Sequence, residues 1–382
     1  MTSLLSTTDA GFSPQSTRPS RGNVRRLGTA DLADIVDLWS RAGDANAAGS
    51  PAFVERILFD SPWRDPAIAS FGCRDSSGRL VASIAAMARP MTFHGHPLRA
   101  AVAHHLTYEP TSKGMRAAIE VTRRFVRGSQ DLSIGTGDDF ARRVWMSAGG
   151  TATPLQSFSW THALRPARYA LGFLRGQGLP SSAALTLQPA CHAVDAALHY
   201  VAQRAMARET AALLSDELDA VTMLASIAAF TRNRSLQPSY DVRAIEWILQ
   251  TLSSRPGNAS VHRVAVRTMS GCSLGWYVYV LFDNHRAEVL QVGGKAEAID
   301  EVVAHLFRHA WQRGAITISG PMDAGLLPAL SEHRCVYHRP VHSWMLIHAR
   351  DPRVASAIDA GDAFLSRLEC AQWLEPAMWG SR

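Results

Sequence analysis

Residues 101–150 of the chain are AVAHHLTYEPTSKGMRAAIEVTRRFVRGSQDLSIGTGDDFARRVWMSAGG, and their pattern constrains the elements on either side. The apolar run 101–108 predicts a strand that ends before Pro110, because proline cannot continue a β-ladder. After the small polar loop 111–114, apolar residues recur at helical spacing over 115–126 and predict a helix. The start of that helix offers unpaired N–H groups and the positive end of a dipole to an anion.

The second part of this stretch repeats the alternation of strand and helix. A short strand is predicted at 132–134 and a helix at 140–146, which the glycines at 149–150 end. Asp138 and Asp139 precede this helix, where the helix dipole favours carboxylates. The order strand, loop, helix, strand, helix is suited to holding the phosphates of an acyl carrier.

Two motifs in this stretch resemble those of the GNAT N-acetyltransferase superfamily. The run LTYEPTSKGMRAA at 106–118 resembles its acyl-CoA-binding segment, in which a strand, an acidic residue and a proline precede an R-G-x-G-x-G loop. The run FARRVWMSAGG at 140–150 resembles its A-R-R-L-Y-x-x-x-G-F helix, with Trp145 where a tyrosine often serves as general acid. Arg116 replaces a glycine of the loop, and its guanidinium is itself suited to pairing with a phosphate.

The resemblance implies a binding site for acetyl-CoA or another acyl-CoA. The main chain of the strand would grip the pantetheine arm, and the loop would hold the pyrophosphate. Carried over position by position, the cofactor-binding residues are Leu106, Thr107, Tyr108, Lys113, Gly114, Met115, Arg116, Ala117 and Ala118.

Acyl transfer to an amine needs a base, a donor for the carbonyl oxygen and a proton for the leaving thiolate. The candidate catalytic residues are His104, His105, Glu109 and Tyr108. Because side chains alternate along a strand, His104 and His105 are expected to face opposite sides, so that at most one looks into the cleft. The alternatives are a packed and a solvated histidine, a Glu109 that only orients the loop, and core roles for Tyr108 and Trp145.

The composition favours a globular protein with two domains. The chain has 382 residues, of which 47% are hydrophobic and 19% charged, so it is too long for one small core. The formal charge of +6 suits an anionic cosubstrate or reflects an arginine-rich solvated surface. The basic residues are dispersed, without the clusters and interleaved aromatics of a nucleic-acid reader, so no nucleic-acid partner is predicted.

Cysteine usage and apolar runs favour a cytoplasmic protein. The five cysteines are odd in number and lack C-x-x-C or Cys/His ligand spacing, so neither a disulfide framework nor a metal site is predicted. No apolar run approaches the ~20 residues needed to span a bilayer. Residues 1–23 resemble a disordered tail and not a secretory signal.

The order of strand, glycine-containing or polar loop, helix and strand recurs later in the chain. Hairpins are predicted at 69–92 and 261–282, and the second leads to a strand at 287–292, the loop Gly293-Gly294-Lys295 and a helix at 296–312. That loop is suited to a phosphate, but loop geometry alone also requires glycine there, and the geometric interpretation is preferred.

The predicted fold class is therefore α/β with α+β mixed sheets: two tandem GNAT-like acyltransferase modules, each a mixed, mostly antiparallel sheet flanked by helices. The closing segment also resembles that of bacterial tandem GNAT-like proteins of unassigned substrate. The predicted ranges are a disordered tail at 1–23, an N-terminal acyl-CoA-binding module at 24–164, a linker with helices at 165–217, a C-terminal module at 218–349 and a helical segment at 350–382.

The resemblance implies an acyl-CoA-dependent N-acyltransferase that acts on a small amine or amino sugar. One alternative is a Fem-type aminoacyl transferase, and another is a non-catalytic GNAT-like binding or scaffold protein. The sequence does not define the acceptor, the acyl length, which module is active or the oligomeric state.

Overall fold

Two β-sheets with helices around them form the framework of the protein. The computed structural model describes residues 23–43, 51–206, 213–254, 259–340, 344–370 and 372–374. Within these residues one sheet has eight strands and the other seven. The predicted tail at 1–23 lies outside the described residues, except for Asn23.

The first sheet has the strand order β1-β2-β3-β4-β5-β15-β6, and β9 pairs with β3. All neighbours are antiparallel except β4 and β5. Its strands are β1 (Asn23–Arg26), β2 (Phe71–Arg74), β3 (Leu80–Phe93), β4 (His96–Tyr108), β5 (Leu132–Gly137), β6 (Thr151–Thr153), β9 (Leu236–Pro238) and β15 (Trp344–Ala349).

The second sheet has the order β14-β7-β13-β12-β11-β10-β8, and only β12 and β13 are parallel. Its strands are β7 (Ser159–Ala163), β8 (Leu213–Glu217), β10 (Ser260–Thr268), β11 (Ser273–Leu281), β12 (Arg286–Gly294), β13 (Thr317–Pro321) and β14 (Val336–His338).

The helices connect these strands and cover the sheets. They are α1 (Leu32–Arg41), α2 (Pro51–Phe59), α3 (Ser112–Val126), α4 (Asp139–Ser147), α5 (Pro154–Ser157), α6 (Pro166–Gly176), α7 (Ser181–Met206), α8 (Ala220–Phe230), α9 (Val242–Ser253), α10 (Ile299–Gln312), α11 (Leu327–Glu332) and α12 (Pro352–Asp359). A short 3-10 turn, Ala296–Ala298, leads directly into α10.

Each half of the chain contributes to the sheet that the other half mainly forms. Strands β9 and β15, from the second half, belong to the first sheet, where β9 pairs with β3 and β15 pairs with both β5 and β6. Strand β7, from the first half, pairs with β13 and β14 in the second. The predicted ranges 24–164 and 218–349 stay a prediction, and each of them contains a strand that belongs to the other sheet.

Each sheet contains one parallel pair whose strands separate after three residue pairs. Strands β4 and β5 pair from Ala100 with Leu132 to Val102 with Ile134, and no further pairing follows. Strands β12 and β13 pair from Arg286 with Thr317 to Glu288 with Ser319. A helix follows the longer strand in both sheets, α3 after β4 and α10 after β12. We call these places the first splay and the second splay.

Helix α3 begins earlier than the sequence pattern predicts, at Ser112 instead of residue 115. The hydroxyl of Thr111 accepts a hydrogen bond from the Gly114 N–H at 3.1 Å, which is an N-cap. The predicted loop 111–114 is therefore mostly the first helical turn, because the capping threonine stands three residues before the glycine.

The segment after α12 is buried between the sheets. Glu369 has no exposed surface, and its carboxylate accepts hydrogen bonds from the Tyr240 hydroxyl at 2.5 Å and the Gln291 amide at 2.9 Å. Gln291 in turn accepts from the Trp276 indole at 2.8 Å. A buried polar group is tolerated only with such partners, so this network fixes the segment around Glu369 against the second sheet.

We expect the fragment of residues 1–170 to aggregate when it is expressed alone. Without β15, strand β5 has an exposed edge, and the sheet face that packs against the second half exposes apolar side chains. Size-exclusion chromatography with light scattering measures this. As the control, co-expression with residues 171–382 should return a soluble complex, whereas a soluble, monomeric and cooperatively unfolding fragment would contradict the interdependence of the sheets.

Candidate functional site

The first splay contains a kink in β4 next to its free edge. The pairing of β3 with β4 shifts between Ser83 and Ala85, opposite His104 and Thr107. His105 has a φ of 48°, in the left-handed region that residues other than glycine rarely adopt. Beyond Val102, the side of β4 that faces β5 has no strand partner among the described residues. The parallel ladder of β4 with β5 therefore ends at Val102 and Ile134.

The imidazoles of His104 and His105 contact each other, with 2.8 Å between their Nδ1 atoms. The expectation that they face opposite sides of the strand was wrong, because the left-handed residue interrupts the alternation of side chains. His105 stacks on the indole of Trp39, with ring centroids 4.3 Å apart. The indole N–H of Trp39 donates to the Ser83 hydroxyl at 3.4 Å. Both histidines are buried at the base of the splay.

Burial, assisted by the charge of Arg89, lowers the pKa of His104 to about 3. His104 is therefore neutral at physiological pH. Since the two Nδ1 atoms share one hydrogen bond, one ring donates and the other accepts. One ring is therefore protonated at Nδ1 and the other is not, and the role of either ring as a base stays a prediction.

Glu109 and Tyr108 end β4 in different surroundings. The carboxylate of Glu109 pairs with the guanidinium of Arg41 and lies 3.5 Å from Nε of Arg79. Two guanidinium groups therefore form ion pairs with this carboxylate, an arrangement suited to orienting the loop. Tyr108 is half-buried against Phe140, with ring centroids 5.4 Å apart. Burial, with a contribution from the nearby Asp138, raises the pKa of Tyr108 above its usual value.

The residues predicted to hold a pyrophosphate are divided between the surface and the core. Lys113, Met115 and Arg116 are exposed on the first turns of α3, whereas Ala117 and Ala118 are buried under it. A Cβ at Gly114 would collide with the carbonyl oxygen of Glu109, so this glycine serves the close approach of helix and loop. Leu106 and Thr107 are half-buried on the free part of β4.

Trp145 fills the first splay. Its side chain is buried, and a Cβ at Gly135 on β5 would lie only 3.0 Å from the indole ring. The cavity that remains at the base of the splay is about 20 Å³, room for about one water molecule. In this structure Trp145 is a core aromatic residue, one of the two roles that the sequence left open.

The second splay holds an open cleft of about 410 Å³. It lies between the end of β12 and the residues that follow β13. Phe230, Trp276 and Phe364 supply aromatic walls, and Arg232 and Lys295 stand among the polar lining. The sequence pattern indicates Lys295 only as part of its glycine loop. It does not indicate Arg232, because no local motif contains this residue.

The glycines of this cleft serve geometry. A Cβ at Gly293 would collide with the indole of Trp276, and one at Gly294 would lie 2.7 Å from the carbonyl oxygen of Leu274. The preferred geometric interpretation of Gly293 and Gly294 agrees with these close approaches. The cleft beside them shows that this geometry also leaves space for a ligand.

Neither the known family models nor the curated protein sequences contain a match to this chain. Solved structures do match in fold. An Enterococcus faecalis V583 protein of unknown function, described as a probable N-acyltransferase, has a TM-score of 0.55 and 11% identity over 86% of this chain and 72% of its own.

Two structures of N-myristoyltransferase from Saccharomyces cerevisiae with bound myristoyl-CoA are similar at 12% identity and a TM-score of 0.50. They cover 85% and 87% of this chain, and 78% and 84% of their own. At such identities the likeness shows the fold alone. The predicted fold class is confirmed: two mixed sheets flanked by helices, in an arrangement shared with N-acyltransferases.

The described residues contain neither a helix able to span a membrane nor a cluster able to hold a metal ion. None of the helices there is both long and apolar enough to cross a membrane. No group of three or more His, Cys, Asp or Glu side chains in that part of the chain is arranged to hold a metal ion.

The low pKa of His104 predicts a specific pH dependence of stability. Below pH 6.5 the unfolded chain binds a proton at this histidine that the folded protein does not bind until about pH 3. Stability should therefore fall with decreasing pH, with His104 contributing up to about 1.4 kcal/mol per pH unit. Urea unfolding of wild type and His104→Gln between pH 6.5 and 4.5 measures the difference in slope.

His96→Gln, a change at the exposed first residue of β4, is the control and should keep the wild-type slope. The expected result is a shallower slope for His104→Gln only. Equal slopes for wild type and His104→Gln would contradict a neutral, buried His104.

Proposed function

We propose that this chain is an N-acyltransferase of the GNAT superfamily, which transfers an acyl group from acetyl-CoA or another acyl-CoA to a small amine or amino sugar. The observation that carries the proposal is the splayed parallel strand pair, followed by a helix, that recurs in both sheets. A free strand edge beside a helix start offers main-chain hydrogen bonds to an extended chain and N–H groups to a phosphate.

The reaction needs few groups from the protein. The amine nitrogen attacks the thioester carbonyl carbon, the carbon–sulfur bond breaks, the nitrogen loses a proton and the thiolate gains one. In the first splay the nearest titratable groups are His104, His105 and Tyr108, the residues that the sequence predicts for this chemistry. Their role, and a binding role for Leu106 to Tyr108 and Lys113 to Ala118, stay predictions of the sequence resemblance.

The setting of the reaction is proposed to be the cytoplasm, without a metal or nucleic acid. Five free cysteines support a reducing compartment. No feature of the described residues favours the Fem-type alternative. Considered alone, the filled first splay favours the non-catalytic alternative. Binding and turnover therefore need separate measurements.

Calorimetric titration with CoA should show saturable binding. With acetyl-CoA, the protein should then release free thiol faster when small amines and amino sugars are added, as measured with a thiol reagent. The reason is that attack on the thioester liberates one thiol for each acyl group transferred. Heat-denatured protein and reactions without amine are the controls. Binding without amine-dependent thiol release would support the non-catalytic alternative, and absence of binding would contradict the proposal.

A further inference from the structure

We propose that the phosphate-bearing acyl carrier binds in the cleft of the second splay, where Lys295 and Arg232 hold its anionic groups. The inference rests on the proposed function and moves the binding site away from the residues that the sequence motif predicts. It also gives the two sheets different tasks, since the first splay is then a packed structural element.

The two splays differ in the volume that they leave for a ligand. The cleft of the second splay measures about 410 Å³, within the range of small-molecule sites, whereas about 20 Å³ remains in the first. An apolar chain entering the first splay would have to displace the buried indole of Trp145. In the second splay the open space lies beside the half-buried Phe230, which stacks on the buried Trp276 with 6.1 Å between ring centroids, so a ligand can enter without displacing a ring.

The charges at the second cleft are available to a ligand. The Nε of Arg232 donates to the carbonyl oxygen of Ala229 at 2.9 Å, and this bond fixes the guanidinium at the end of α8. Among the described residues, neither Arg232 nor Lys295 has a carboxylate partner. Arg234, by contrast, pairs with Asp323 at 2.7 Å.

Glu297 also lines the cleft. Arg232 and Lys295, which have no carboxylate partner among the described residues, therefore outnumber this one carboxylate, and the net charge of the three groups is positive. A cleft lined by both apolar side chains and surplus cations is complementary to a ligand with an apolar chain and a phosphate, which is the chemistry of an acylated phosphopantetheine arm.

Lysine usage sets the two splays apart from the rest of the chain. Of its 39 Lys and Arg residues, only Lys113 and Lys295 are lysines. Lys113 stands in the first turn of α3, and Lys295 immediately precedes the turn Ala296–Ala298 that leads into α10. Each lysine therefore follows the longer strand of a splay. A lysine at such a position acts as a compact point charge for phosphate.

The two lysines make the experiment selective. The full-length protein is treated with formaldehyde and cyanoborohydride, with and without CoA, and methylation of each lysine is followed by mass spectrometry. We expect CoA to slow the methylation of Lys295 and to leave Lys113 unchanged, because only the second cleft accommodates the ligand. Protection of Lys113 alone, or of both lysines equally, would overturn the assignment.

Matched variants provide the affinity test. Lys295→Gln should weaken CoA binding roughly tenfold or more, since one charge-assisted contact is lost, and Lys113→Gln should bind like wild type. Thermal unfolding of both variants verifies that they fold. Loss of affinity in Lys113→Gln alone would overturn the inference while the proposed function stands, and wild type that binds no CoA would overturn both.

A competing anion separates a carrier site from a simple phosphate site. Inorganic pyrophosphate supplies charge without an apolar chain, so it should displace CoA only at concentrations far above those of CoA. Displacement by pyrophosphate at concentrations equal to those of CoA would show that the aromatic walls contribute nothing, and it would overturn the assignment to an acyl carrier.

Discussion

The exchange of strands β7 and β15 is the constraint on which the structure depends. Strand β15 lies between β5 and β6 and is hydrogen-bonded to both, and β7 lies between β13 and β14 in the same way. Each sheet therefore lacks an interior strand until the other part of the chain is present. The segment after β15 then lies between the sheets, where the buried carboxylate of Glu369 finds its partners.

The splays follow from this arrangement and differ in what fills them. In both sheets a parallel pair separates after three residue pairs, and among the described residues no further strand enters the gap. In the first, Trp145 packs against Gly135 of β5 and Gly150 after α4 and takes up the space. In the second, the aromatic residues line a cleft instead of filling it. One framework thus supplies a packed element and an open cleft.

Local patterns predicted the elements but not their partners. The hairpins at 69–92 and 261–282 and the strand–helix order after each could be predicted, because glycine turns and apolar periodicity are local. The exchange of β7 and β15 could not, since pairing over such separations leaves no local signal. The contact of His104 with His105 depends on one backbone angle, and the filling of the first splay depends on the size of Trp145 in its tertiary setting.

Native-state hydrogen exchange tests the interdependence of the sheets most directly. Peptides that cover β7 and β15 are compared with peptides that cover β4 and β11, over a range of denaturant concentrations. The account predicts that the slowest amides of all four strands open with the same free energy, because neither sheet persists without its exchanged strand. Exchange of β15 at a much lower free energy, while β4 and β5 stay protected, would contradict it.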